Sequence, residues 1–206
     1  MHLDLLFQCD LDCQHCYLDD KGSHNQSTAF WKDVIDQLAE MNVVVLILSG
    51  GELFLRPDAL ELIHYASDRG FVLNLKTHAG RLTEAMIAEL AECRIGLVEV
   101  SFYSHRPEIH DAITRREGSH TDTLDAMKRM AQAGIPTRAS FVMMEANQHD
   151  VEATGALCAE HGIQFQASGH LFPAKGGGEF PLDLRADEDV RIELSARSTE
   201  SHGLAG

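Results

Sequence analysis

Basic side chains are scarce in this 206-residue chain: 17 Lys and Arg stand against 32 Asp and Glu, for a formal net charge of −15. A phosphate backbone is held by clustered cations that displace its counterions, so nucleic acid is not an expected partner. Long apolar runs are missing as well. The longest, VVVLIL at 43–48, is far too short to cross a bilayer, and no membrane span is expected. The opening residues, MHLDLL, lack the basic stretch that begins a secretory signal, so the expected location is the cytoplasm. Five cysteines make an odd number, which without a secretory signal points away from a disulfide framework.

What remains is an ordinary globular balance, 44% apolar and 24% charged, in a chain long enough for one substantial core. Short apolar runs at 2–7, 43–48, 71–75, 96–102, 137–143 and 164–168 read as strands. Several have the continuous, β-branched character of strands covered on both faces. Amphipathic stretches at 28–41, 58–69, 83–93, 121–133 and 148–161 read as helices between them. Asp58 and Thr83 stand where helices open, and Gly70, Gly134 and Gly162 stand where they stop. Strand and helix alternating six times predict an α/β fold with a parallel sheet, whether open or a partial barrel. After residue 172 the pattern dissolves into a Gly-rich stretch, PAKGGGEF, and a polar tail with a short helix expected near 187–196.

In such folds functional residues gather in the loops after the carboxyl ends of the strands. Two unusual motifs occupy those positions. CDLDCQHCYLDD at 9–20 follows the first strand, and SGGE at 49–52 follows the second. Cys9, Cys13 and Cys16 are spaced so that a turning loop can bring three thiolates to one inorganic centre. A structural zinc normally takes four protein ligands, and His15 lies awkwardly between two of the cysteines. A [4Fe–4S] cluster held by only three thiolates leaves one iron open to a cofactor or substrate. Cys93 and Cys158 fall in helical patterns and read as small apolar core residues.

The C-x3-C-x2-C spacing followed by Tyr17 resembles the signature loop of the radical S-adenosylmethionine (radical SAM) superfamily. LSGGELFLRPD at 48–58 is similar to that family's second motif, with Leu53 where proline is usual. The stretch 101–136 resembles the branch of peptide-modifying maturases, which includes enzymes of pyrroloquinoline quinone, mycofactocin and thioether-peptide biosynthesis. The resemblance runs through roughly residues 2 to 178. It implies a partial (β/α)6 barrel over 1–178 and a C-terminal tail, partly helical or disordered, over 179–206. It implies a [4Fe–4S] cluster on the three cysteines, with S-adenosyl-L-methionine on the fourth iron. An electron from flavodoxin or ferredoxin would cleave that cofactor to a 5′-deoxyadenosyl radical, which takes hydrogen from a peptide or small biosynthetic substrate. The positions it suggests for cofactor contact are Tyr17, Gly50, Gly51, Glu52, Ser101, Arg138 and Asn147; no acid or base is assigned. His78, in LKTHAG, departs from a common TNG turn and reads as a surface histidine.

Many maturases of this branch carry a cysteine-rich SPASM or twitch extension for auxiliary clusters. No cysteine follows Cys158, so such clusters are not expected here unless another chain supplies them, and the chain reads as a minimal core or a fragment. A second reading is therefore a non-catalytic or partner-dependent subunit that keeps the cluster for structural or redox purposes. A zinc-stabilised α/β protein ranks last.

Overall fold

The computed structural model describes residues 1–18, 20–22 and 25–192. Six strands, β1 (His2–Asp4), β2 (Val45–Ser49), β3 (Val72–Thr77), β4 (Ile95–Ser101), β5 (Thr137–Val142) and β6 (Gln164–Ser168), form one sheet in chain order. Every pairing is parallel. Helices fill the crossovers: α1 (Thr28–Glu40), α2 (Ala59–Asp68), α3 (Glu84–Ala91), α4 (Pro107–Thr114), α5 (Ser119–Gln132) and α6 (Val151–Glu160). A strict 1-to-6 order with crossovers of one hand lays all the helices on the same face, so the sheet winds as the expected partial barrel. Residues from β1, β3, β4 and β5 line a single cavity, which shows the curvature.

The core lies between the outer face of the sheet and the helices. Leu46, Leu48, Leu73, Leu75, Val98, Val100 and Ala139 meet Ile35, Leu62, Ile63, Ile87, Leu90, Met127 and Met130 there. The other face corrects the reading of strands covered on both sides. Asn74, Lys76, Glu99, Arg138 and Ser140 alternate with those buried residues and stand partly accessible on the concave side. Among the described residues no helix covers that face, so its side chains can be polar and stay partly solvated.

Helix signals act largely as read. Ser27 and Thr83 cap α1 and α3 by accepting from the amides of Phe30 and Met86. Asp58 sits at the start of α2 but gives its carboxylate to Arg56 and Thr28. One helix went unforeseen: α4, opened by Pro107 and ended by Arg115 in a left-handed conformation (φ 56°). The expected first strand over 2–7 keeps ladder geometry only to Asp4, yet residues 5–8 continue to bond residues 49–52.

The Gly-rich stretch is a turn, closed by Ala174 donating to Gly178 O and fixed where Lys175 donates to Tyr17 O. Of the expected tail, residues 179–192 are described. They lie against the end of β5, with Ala186 buried against Phe141 and Met143, and are helical over 188–192; the rest of the expected 187–196 helix lies outside the described residues.

Candidate active site

The cysteine loop is fastened at both ends and in its middle. Leu11 and Leu18 are buried anchors. The amides of Asp12 and Gln14 donate to Thr114 O and Ile113 O, and the Gln14 side chain donates to Ala112 O. These are carbonyls that the C-terminus of α4 cannot satisfy within the helix, so the unforeseen helix is what the loop docks on. Lys21 closes the far side by donating to Leu11 O at 2.6 Å.

The two glycines after β2 have a packing task beside the cofactor contact expected of them. A Cβ on Gly50 would stand 2.2 Å from Leu6 O, and one on Gly51 2.2 Å from Gln8 O. Their missing side chains let the exit of β2 lie directly on the backbone that leads into Cys9, where Gly51 and Glu52 donate to Leu6 O and Gln8 O. The second motif thus sets the height of the first.

Glu52 then turns away from the cavity. Its fully buried carboxylate accepts from Phe54 N, Thr77 Oγ1 (2.6 Å) and His78 N (2.8 Å). His78 is not a surface residue; it is 7% exposed. Its Nδ1 accepts from the Gly80 amide, which assigns the proton to Nε2, and Nε2 donates to Asp10 at 2.8 Å. Arg81 and Arg116 complete the grip on Asp10. The hydrogen bond from His78 is the chief reason that the Asp10 carboxyl is held well below the usual range. Glu52, His78 and Asp10 therefore tie both motifs to the end of β3. Cys9, Asp10 and His78 present ligand-type atoms within 4.8 Å of one another, but the last two already engage each other and the arginines.

Cys9, Cys13 and Cys16, all unpaired, line a cavity of about 550 Å³ together with Tyr17, Gly50, Gly51 and Ser101. Burial pushes the Cys9 thiol up to about 11, and burial with Cys9 and Cys16 nearby pushes Cys13 up to about 12. Cys9 and Cys13, which resist ionisation so strongly, need a cationic centre nearby to become thiolates. The Leu11 amide already points at Cys9 Sγ (3.4 Å), as a donor to a metal-bound sulfur does. The donor set thus fits an iron–sulfur cluster. His15 sits edge-on to Tyr103 (4.8 Å) and is lowered to about 4 by burial, so it is neutral at pH 7.

Two other expected contacts lie off the cavity wall. Asn147 is buried and accepts from Met144 N while donating to Tyr103 O and Val142 O, which shapes the turn after β5. Arg138 reaches across to Glu99 at 2.9 Å. Reasoning from motifs passed over His78, Lys76, Glu99, Tyr103, Ser140, His170 and Leu171, all of which line the cavity. Strand alternation was the available signal: a Lys or Glu in the polar slot of an otherwise apolar strand faces the lumen.

Residues 5–158 match the Radical SAM superfamily. The PqqA peptide cyclase of Bradyrhizobium diazoefficiens is 31% identical over 152 residues, 72% of this chain and 40% of that protein. The mycofactocin maturase MftC of Mycobacterium tuberculosis is 29% identical over 195 residues, 93% of this chain and 49% of that protein. Streptococcus suis SuiB, in a structure with bound S-adenosylmethionine, superposes with a TM-score of 0.82 at 16% identity, covering 97% of this chain and 46% of that one. The chain spans about half the length of the curated relatives it matches.

Proposed function

This chain belongs to the radical SAM superfamily, and on that premise we propose that it is a radical SAM enzyme acting on a peptide. Cys9, Cys13 and Cys16 would hold a [4Fe–4S] cluster, and the open iron would take the amino and carboxylate groups of S-adenosylmethionine. When bound, that pair supplies a one-electron reductive cleavage giving a 5′-deoxyadenosyl radical, with the electron from a flavodoxin- or ferredoxin-type donor. The single observation that carries the proposal is the convergence of the three thiols with the double-glycine bend on one cavity.

The chain's own residues do the positioning. The α4 carbonyls and the Asp10–His78–Glu52 series fix the cysteine loop. Tyr17 and the Lys175 turn, its ammonium 4.3 Å from the Phe7 ring centroid, close the side of the loop toward β1. Ser101 and Ser140, in register on β4 and β5, offer hydroxyls to the cofactor. Glu52 is assigned to holding the turn rather than to the cofactor's ammonium group, and Asn147 acts through the Tyr103 and Val142 carbonyls. No helix among the described residues is long and apolar enough to cross a membrane; we place the protein in the cytoplasm, where free thiols persist. A peptide substrate follows the names of two relatives, a peptide cyclase and a maturase.

Anaerobic reconstitution with iron and sulfide tests this. The expected result is a brown protein with about four irons per chain, which releases 5′-deoxyadenosine from S-adenosylmethionine after dithionite. Cys13→Ala should abolish both. A colourless protein, or a loaded one that never cleaves the cofactor, would refute it.

A further inference from the structure

The concave face of the sheet carries a row of charge that the cofactor reading does not use. Parallel register places Lys76 beside Glu99 and Glu99 beside Arg138. The side chains follow: Lys76 Nζ is 3.3 Å from Glu99 Oε2, and Arg138 donates to Glu99 Oε1 at 2.9 Å. Two cations thus share one carboxylate, and the row keeps one positive charge.

Lys76 keeps donors to spare. The Lys76 side chain is 43% exposed and makes only the one long ion pair among the described residues. Arg138 lies behind the cavity wall with its Nε buried, and neutralises Glu99 from that side. Among the described residues, Lys76 and Glu99 are the only formally charged ones on the cavity wall. The chain as a whole carries −15, so a row with a net positive charge is a local exception to its acidity.

Depth separates this row from the cofactor. The next inward-facing position along β4 and β5 is the hydroxyl pair Ser101 and Ser140. Two residues of strand are about 6.6 Å, so the charged row lies one layer farther from the strand ends, where the cysteine loop sits. We propose that Lys76, whose partner Glu99 is neutralised from behind by Arg138, forms the anchor for a carboxylate of the substrate, either an acidic side chain or a peptide C-terminus. This rests on the reading that a peptide enters the cavity beside the cofactor. It assigns Arg138 to the support of this anchor rather than to S-adenosylmethionine.

Binding of short peptides to the cluster-loaded protein, followed by saturation-transfer NMR, tests it. The probes are acetyl-Ala-Glu-Tyr-Ala-amide, its Gln counterpart, and the Gln peptide with a free C-terminal carboxylate. At least one acidic probe should bind about tenfold tighter than the neutral one, and the two acidic probes distinguish side chain from terminus. Lys76→Met and Arg138→Met should each erase most of that preference. Glu99→Gln should strengthen acidic binding several-fold, because both cations lose their internal competitor. A role confined to holding the sheet together would not produce that gain.

Equal affinity for acidic and neutral probes overturns the anchor, as does a Glu99→Gln protein with weaker acidic binding. Variants that lose S-adenosylmethionine affinity while keeping the peptide preference overturn it too, since the row would then serve the cofactor. Failure of the enzyme reading shows separately, as absence of 5′-deoxyadenosine from the wild-type protein.

Discussion

At the scale of single residues, the two motifs are one structure. Gly51 has no room for a side chain, because a Cβ would press on two backbone carbonyls, Gln8 O at 2.2 Å and Phe7 O at 2.5 Å. Neither carbonyl belongs to a flexible side chain, so the cysteine loop itself must move. Gly51→Ala should cost roughly 2–4 kcal/mol of stability and lower iron uptake; urea unfolding and iron analysis on the same preparations check both. Glu52 gives a second residue-scale test. Its carboxylate accepts from three donors in a site closed to water, and an amide in its place points a donor at a donor. Glu52→Gln should lose about 1–3 kcal/mol even in metal-free protein. A variant of unchanged metal-free stability that binds S-adenosylmethionine poorly would instead return Glu52 to the cofactor.

At the scale of elements, strands and helices were legible because periodicity two and periodicity three to four are written in the apolar residues. The five helices read from sequence appear within a few residues of the expected bounds. α4 was not legible: it is eight residues long, and its stop is an arginine in the left-handed region where a glycine would have signalled the end. The polar face of the sheet was half legible, since Asn74, Lys76, Glu99 and Arg138 interrupt apolar strands at alternate positions. What sequence did not show is distance across the fold. That His78 meets Asp10, 68 positions away, follows only from where β1 and β3 end. The same holds for α4, whose His110 is 1% exposed between Phe102, Tyr103 and His120 and accepts the Tyr103 amide. Burial, then His120, lowers His110 to about 3; His78 and Arg116 push the same way and Asp111 opposes them. Below about pH 6.5 the unfolded chain takes up a proton that the folded one refuses. Stability from this group is therefore complete above that pH and falls between about 6.5 and about 3, by at most about 1.4 kcal/mol per pH unit. Urea unfolding at pH 7.5 and pH 5 should show that loss, and His110→Asn, which keeps an acceptor, should flatten it.

At the scale of the whole molecule, the sheet is open and its cavity is floored by charge and roofed by the cysteine loop. That loop is bonded to β2 through Gly51 and Glu52, to β3 through His78, to α4 through three carbonyls and to the β6 exit through Lys175. A centre that joins Cys9, Cys13 and Cys16 therefore closes a ring of contacts running around most of the barrel mouth. Any ligand that binds the folded chain and not the unfolded one raises its stability by mass action. For a chain of this size each 1 kcal/mol moves the midpoint by about 2–4 °C, so cluster loading should raise Tm by about 5 °C or more. Stripping the cluster should reverse the gain and speed tryptic cleavage after Lys21, whose ammonium is tied to Leu11 O and Asp12 across the loop. Scanning fluorimetry and limited proteolysis under nitrogen measure the two effects. Identical melting and cleavage with and without iron and sulfide would mean that the three thiols do not act as one site.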